Sequence, residues 1–415
     1  MRDREAHFQA LRFWKPAAKA TEWRGMMRSR LIVVAAIFWL FQICVSAQET
    51  LSPSAARIDL KTAANLSSQI AAIDAMTANQ FAKHPIGSIT VGIVSGNALI
   101  WTKSYGYADE KKLADKETVY RIGSVTKMFT TLMFEQLVEA GRVHLTDPVE
   151  KYFSEVNTIQ GRFGYSPAIT LFQLATHTSG LGSEPDNLAV YVKGPISAWE
   201  QTLIASLPHV HYRSEPGTQF LYSNVGYAIL GAALSRAAQQ PYTSYVPEHI
   251  FASLGMTHSY LEVPFSALPH LAKGYELDGG KVDTDTPQRE HAGRGYKVPN
   301  GAAYTTVEDL AHFESFLMGF GPNSALQASS LEHFLTQTSV ASNIMLSDGY
   351  GLCGVVLKRP TYTAVGHDGD VAGYEAALYM NRASGIGVIV LANSTGDDAL
   401  DSDALALDAL DILSK

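Results

Sequence analysis

The spacing of apolar positions changes along the chain, and each change marks an element. Residues from about Asn65 to Lys83 carry a helical pattern. The stretch "GSITVGIVSGNALIWTKSYGYAD" reads as two strands joined by a turn at Gly96-Asn97. In "RIGSVTKMFTTLMFEQLVEAG" apolar residues recur at Val125, Met128, Phe129, Leu132, Met133 and Leu137, and Gly141 supplies a C-cap. From there to about Val298 the spacing is mostly helical, with long loops. "TTVEDLAHFESFL" opens a further helix, with Thr306 and Asp309 as a capping pair. Near the end "GYGLCGVVLKRP", "YTAVGHDG", "GYEAALYMN" and "GIGVIVLANS" read as four strands. An amphipathic helix follows, starting at Asp397 and Asp398, whose charges suit a helix N-terminus. Strands at both ends with helices between predict one sheet built from both termini. Residues 48 to 123 and 299 to 415 then form an α/β domain, and residues 124 to 298 a mainly helical one inserted into it.

One position breaks its own pattern. The helix face that carries Ser124 and Lys127 continues through Thr131, Phe134 and Val138, so this helix is apolar on nearly every side and belongs inside the protein. Lysine is almost never fully buried without a partner. A cation in the first turn also sits at the positive end of the helix dipole. Local conflicts of this kind concentrate at functional sites.

The first residues are read apart from the fold. "GMMRSR" precedes the apolar run of residues 31 to 45, which is too short to span a bilayer comfortably, and Val45-Ser46-Ala47 resembles a small-residue cleavage site. Residues 1 to 47 are therefore set aside as a leader: residues 26 to 47 read as a secretory signal peptide, translation starts at Met26 or Met27, and the mature chain begins at Gln48. The protein is then secreted or periplasmic, with no stable membrane insertion; the alternative is an uncleaved anchor at residues 31 to 45. Residues 1 to 47 hold 8 of the 32 basic and 3 of the 40 acidic residues, so the remainder has 24 against 37, a net charge of −13. That balance argues against nucleic acid or an anionic membrane surface as a partner. Of the two cysteines only Cys353 lies beyond the leader, so no intrachain disulfide is expected. At 46% apolar residues, a large core is available without one.

Three short stretches carry candidate chemistry. Ser124 and Lys127 are three apart and share a helix face. A desolvated lysine loses its proton readily and can accept one from a serine hydroxyl. Ser124 at a helix start has backbone N–H groups beside it that favour a developing anion. In "EPGTQFLYSNVGYAILGAAL" the pair Tyr222 and Asn224 falls in the loop before a helix; tyrosine can act as a general acid or base, and an asparagine amide can hold a carbonyl or steady a lysine. In "AVGHDGDVAGYEAALYM" His367 and Gly369 lie on a strand, where glycine marks close approach of a ligand or backbone. Each motif alone is weak. Tyr-x-Asn recurs at Tyr379 and Asn381, and His-x-Gly at His291.

In this order Ser-x-x-Lys, Tyr-x-Asn and His-x-Gly resemble the serine β-lactamase and penicillin-binding-protein superfamily. The likeness is to its class C β-lactamase-related branch, which includes D-alanyl-D-alanine carboxypeptidases, D-aminopeptidases and esterases. "YRIGSVTK", "ITLFQLATHTSGL", "PGTQFLYSNVGY" and "GHDGDVAGY" are similar to that branch too, and the resemblance covers most of residues 65 to 413. It implies an α/β (α+β) fold of the β-lactamase/transpeptidase type: an antiparallel sheet flanked by helices, an inserted helical domain, and the active site between them. It also implies roles. Ser124 would attack a carbonyl and form an acyl-enzyme. Lys127 and Tyr222 would share the proton traffic. Asn224 would hold substrate and Lys127. The backbone N–H groups of Ser124 and Asp370 would form the oxyanion hole. No metal or cofactor is implied, and the partner is a small-molecule or peptide substrate. His177, in "THTSGL", is taken as structural.

Two departures bear on substrate. His367 stands where β-lactamases of this branch carry lysine, which looks more like the peptidase side. Asp368 and Asp370 flank Gly369, and two carboxylates at the lip of the site are unexpected if the ligand carries a free carboxylate. Asp368 is counted with His367, Gly369 and Asn224 among residues that would contact substrate; since a strand alternates its faces, it points away if His367 points in. The expected activity is hydrolysis of an amide or ester, a D-amino-acid peptide or ester foremost. The competing reading is a β-lactam or peptidoglycan sensor or scaffold that acylates without turnover.

Overall fold

Strands covered on both faces read as unbroken apolar runs, and two such runs form the middle of the sheet. The computed structural model describes residues 65–161, 168–322, 324–336, 348–396 and 399–415; the expected leader and its cleavage site lie outside them. Seven strands make one sheet: β1 (Ser88–Ser95), β2 (Ala98–Gly106), β3 (Asp348–Gly351), β4 (Gly354–Lys358), β5 (Thr363–Val371), β6 (Tyr374–Asn381) and β7 (Ile386–Ala392). Their order is β2-β1-β7-β6-β5-β4-β3, antiparallel throughout. Every residue of β1 and β7 is buried. They pair from Ile89 opposite Ala392 to Ser95 opposite Ile386, so the two ends of the chain meet in the centre of the sheet.

Five helices matter for the site and its support: α1 (Ser67–Lys83), α2 (Thr126–Glu139), α3 (Asn224–Ala238), α4 (Val307–Leu317) and α5 (Ser402–Leu413). The period-two alternation of the strands sorts their side chains between two cores. Ile89, Val91 and Ile93 with Val388 and Val390 pack with Ile73 of α1 and with Leu405 and Leu410 of α5. Leu378, Met380, Ile389 and Leu391 join the larger core with the buried residues of α2, α3 and α4. Each fully buried Leu or Ile contributes about 1.5–3 kcal/mol of transfer free energy, which fixes the strand register to the face. On the α4 side Glu314 is fully buried against Gly387, where any Cβ would overlap its carboxyl.

The hairpin turn at Gly96-Asn97 is as the sequence predicts, and Thr306 caps α4, its Oγ accepting the Asp309 N–H at 3.2 Å. Three boundaries differ. "GYGLCGVVLKRP" holds two strands rather than one, because the chain reverses at Leu352-Cys353 and Gly354 takes φ +117°. The last helix is Ser402–Leu413, capped by Asp401 through a 2.9 Å bond to the Ala404 N–H; the expected start at Asp397 and Asp398 lies outside the described residues. The helix predicted from Ser124 opens with a 3₁₀ turn, Gly123–Val125, before α2.

One asymmetry of the sheet positions the site. β5 pairs with β6 from Val365 to Val371, but with β4 only from Thr363 to Gly366. Past Gly366 the β4-side edge of β5 is open, and the Gly123–Val125 turn lies against it.

Candidate active site

Two glycines let that strand edge and that turn meet backbone to backbone. Gly123 sits at φ +47°, and a Cβ there would lie 2.9 Å from the Asp370 backbone nitrogen. A Cβ at Gly369 would overlap the Ile122 carbonyl and lie 2.9 Å from the Ser124 nitrogen. The backbone segments that carry the Ser124 and Asp370 amides thereby lie against each other.

α2 buries Lys127 among Val125, Met128 and Thr131, with 1% of it exposed. Its Nζ is 2.8 Å from Ser124 Oγ, 2.8 Å from Asn224 Oδ1 and 3.1 Å from the Asn300 carbonyl. It also lies over the Tyr222 ring, 4.8 Å from the centroid. Burial holds the Lys127 ammonium well below the ordinary lysine range, and the nearby Lys297 adds to this, while Glu184 and Asp368 oppose it.

Asn224 is the first residue of α3, directly after the cap Ser223, whose Oγ accepts the Gly226 N–H at 3.0 Å. Its amide orientation is fixed from behind: Nδ2 donates to Glu184 Oε1 at 2.8 Å, which leaves Oδ1 for Lys127. Lys297 donates to the same Glu184 oxygen at 2.7 Å. Asn300 closes the set, with its Nδ2 donating to the Asn224 carbonyl at 2.8 Å.

Tyr222 is half-buried and hydrogen-bonded to Ser124, and burial pushes its phenol well above the usual range. His177 braces the Tyr222 loop on both sides. Its carbonyl accepts the Leu221 N–H at 2.8 Å and its Nδ1 accepts the Ser223 N–H at 2.9 Å. The ring stacks 4.2 Å from that of Tyr222, and the residue takes a left-handed φ of +56°. Burial keeps His177 neutral, with the Nε2 proton facing the aromatic rings of Tyr227 and Tyr350 rather than an acceptor. The structural role expected for His177 thus becomes specific: it positions Tyr222.

His367 lies on β5, on the same face as its cross-strand partner Leu378, and is buried. Nε2 accepts from the Tyr350 hydroxyl at 2.8 Å, and Nδ1 donates to the Asp368 carbonyl at 2.5 Å. Burial, and then Lys127, push the imidazole down to about 3, so it is neutral near pH 7. Asp368 pairs with Ala377, so its Cβ leaves the opposite face of the sheet from His367, yet its carboxylate lies 3.7 Å from His367 Nδ1 and its charge favours the Lys127 ammonium. Asp370 shares that face and is exposed, its carboxylate accepting from the Thr395 hydroxyl at 3.2 Å.

Ser124, Lys127, Tyr222, Asn224, His367 and Gly369 therefore converge. The sequence reading missed Glu184 and Lys297, which sit in loops with no periodic signal, Asn300, which lies in the one-turn helix Val298–Gly301, and Tyr350, which lies in a short strand. Among the described residues no group of three His, Cys, Asp or Glu side chains is placed to hold a metal ion.

A model of the Beta-lactamase family matches residues 73–411. The chain belongs to the Beta-lactamase family. Protein flp of Staphylococcus aureus (strain MW2) is 26% identical over 323 residues, 77% of this chain and 62% of that protein, so the chain spans less than two thirds of that relative's length. The octameric penicillin-binding protein homologue from Pyrococcus abyssi superposes with TM-score 0.69 at 25% identity, over 83% of this chain and 77% of that one. A D-alanine carboxypeptidase from Burkholderia cenocepacia gives 0.66 at 22% identity, over 84% and 98%. A class C β-lactamase gives 0.68 at 19%, over 85% and 97%. At such identities the last two likenesses speak to the fold, which is of the β-lactamase/transpeptidase type.

Proposed function

We propose that this Beta-lactamase family chain is an exported serine hydrolase that cleaves an amide or ester through an acyl-enzyme on Ser124. The observation that carries the reading is the set of partners around Lys127 Nζ. Asn224 Oδ1 and the Asn300 carbonyl can only accept, and they use two N–H groups. The third partner is the Ser124 hydroxyl. A hydroxyl can accept from the ammonium or donate to the neutral amine, and the depressed basicity of Lys127 favours the neutral form, whose lone pair then faces Ser124. Lys127 is then a base already aimed at the nucleophile.

The Ser124 proton passes to Lys127 as Oγ bonds to the substrate carbonyl carbon. The resulting oxyanion is met by the Ser124 and Asp370 N–H groups. As the intermediate collapses, the bond to the leaving group breaks and the leaving group takes the Tyr222 phenol proton. Lys127 returns its proton to Tyr222. A water then enters by the reverse route and frees Ser124.

His367 bears on the substrate. It is neutral and both its ring nitrogens are occupied, so it offers no cation to a substrate carboxylate. The nearby Lys297 is engaged by Glu184 at 2.7 Å. The favoured substrates carry no carboxylate beside the scissile bond, such as D-amino-acid esters or amides.

The test is intact-protein mass spectrometry over time after a fluorophosphonate or a fluorescent penicillin, alongside hydrolysis of p-nitrophenyl esters, a chromogenic cephalosporin and a D-alanyl amide. A Ser124 adduct from the fluorophosphonate and turnover of an ester or amide are expected. Ser124→Ala should lose both, with activity down by several orders of magnitude. A Ser124→Ala variant keeping more than a tenth of wild-type hydrolysis would exclude Ser124 as nucleophile. A permanent adduct with no turnover of any substrate would favour the sensor.

A further inference from the structure

Behind the Ser124 turn lies a second polar site that the reaction above does not use. Arg121 is three residues before Ser124 and 1% exposed. Its Nη2 is 3.0 Å from Glu290 Oε2, in an ion pair rather than an aligned hydrogen bond, and its Nε and Nη1 have no partner. Tyr304 and Tyr374 lie 5.8 Å from its guanidinium carbon. The guanidinium donors lie in its plane. Arg294 shares the same Glu290 oxygen, with its Nε at 2.8 Å, and donates from Nη1 to the Gly301 carbonyl at 3.1 Å. His291 adds no charge: its nitrogens meet the Tyr304 hydroxyl at 2.9 Å and the Tyr374 hydroxyl at 3.2 Å, and burial and Arg121 push it down to about 4. Two buried guanidiniums thus share one carboxylate, an arrangement short of one negative charge.

A pocket opens onto these groups. Its lining includes the buried Arg121 and Tyr304, the partly buried Arg294 and Ile196, and the exposed Glu262. About 30 Å³ is open to the centre of a water-sized occupant, more than a single water needs. That admits a halide or the end of a carboxylate. Unpaired buried charge is costly, and a neutralising ligand removes that cost.

We propose that this pocket is a binding site for a small monovalent anion, a halide or a carboxylate group, that completes the Arg121–Glu290–Arg294 cluster. The site is linked to the nucleophile. Arg294 holds the Gly301 carbonyl, and the preceding Asn300 carbonyl accepts from Lys127. An occupied anion site therefore braces the wall against which Lys127 is held.

Bromide tests this on the wild-type protein. Crystals soaked in bromide should show an anomalous peak within hydrogen-bond reach of Arg121 Nε or Nη1. Its displacement by formate supports a carboxylate site, and its persistence supports a halide site. In solution at fixed ionic strength, bromide should raise the melting temperature saturably, with a half-point of roughly 1–100 mM for so small a ligand. Arg294→Gln should lose that rise. Absence of anomalous density in the pocket, or a full bromide response in Arg294→Gln, would overturn the proposal.

Discussion

Replacing Lys127 with Met gives the sharpest test of how the site works, because stability and activity should move in opposite directions. The side chain keeps its length and loses its amine. In the unfolded chain a lysine titrates near 10.5, so a neutral Lys127 in the folded protein has given up a proton that the unfolded chain holds at pH 7. Below that unfolded value the missing proton costs stability, at most about 1.4 kcal/mol per pH unit. Against this, Met leaves Asn224 Oδ1 and the Asn300 carbonyl without their donor, and Asn224 cannot turn because Glu184 holds its Nδ2. Two lost hydrogen bonds of this kind cost about 1–3 kcal/mol together. Because the Lys127 basicity is strongly depressed, the balance at pH 7 favours the variant, which should show a higher Tm.

The pH dependence separates this account from ordinary repacking. A group whose folded pKa lies below its unfolded one destabilises the fold increasingly as pH falls beneath the unfolded value, until the folded value is reached. The advantage of Lys127→Met should therefore shrink as pH rises from 7 to 9, by at most about 1.4 kcal/mol per unit. Calorimetry of both proteins at the two pH values measures it, and the difference between them cancels the other titrating groups. Esterase activity should fall by several orders of magnitude throughout. A variant clearly less stable than wild type at pH 7, or a difference that does not change with pH, would show Lys127 to be a charged structural residue and would remove the neutral base from the mechanism.

His177→Ala should lower the rate of Ser124 acylation about 10-fold or more well below the melting temperature, since the Tyr222 loop loses its ring support and the Ser223 N–H its acceptor. His177→Asn, which tolerates the left-handed backbone, should recover part of that rate in a stopped-flow probe assay. Asp368→Thr should raise kcat/KM for a carboxylate-bearing substrate about 10-fold relative to a neutral ester, because the Asp368 carboxylate lies 3.7 Å from His367 Nδ1; an unchanged ratio would show that Asp368 does not select substrate. Glu314→Met should raise Tm, as the buried carboxyl has no hydrogen-bond partner of good geometry and burial pushes its pKa well up. Its stability cost is absent below about pH 4.5 and grows as pH rises, so the gain of about 1–3 kcal/mol should be larger at pH 8 than at pH 5 in matched urea melts. Exported protein should begin at Gln48 by N-terminal sequencing, and retention of residues 31 to 45 would establish an anchor instead.

What the sequence revealed follows from where its signals are periodic. β1, β7 and α2 are legible because burial on all sides leaves apolar runs whose spacing is set by strand or helix geometry. Ser124 and Lys127 stand out for the converse reason, a polar pair in such a run. The hairpin β3–β4 is hidden inside one apparent strand because Leu352 and Cys353, at its turn, are themselves apolar and buried. Asp368 was ambiguous for a register reason: one residue decides the face, and only the pairing with Ala377 tells which. Glu184 and Lys297 left no trace, since a loop residue carries no periodicity and their closeness spans 113 positions of sequence.

Those unseen loop residues decide whether the visible motif can work. A serine three residues before a lysine on a helix guarantees only that the two side chains can touch. For Lys127 to accept a proton, its lone pair must face Ser124, which requires two acceptors to take both of its N–H groups. Asn224 is one of them only because Glu184 claims its other end, and Asn300 is the other only because its own amide is tied to the Asn224 carbonyl. Lys297, held by that same Glu184, keeps a positive charge near Lys127 that disfavours protonation. Glu184 thus turns Asn224 and anchors Lys297 at once, although its own negative charge favours the ammonium. Its removal would free the Asn224 amide to rotate, and a rotated amide would point N–H groups at Lys127 and take up the lone pair that Ser124 needs.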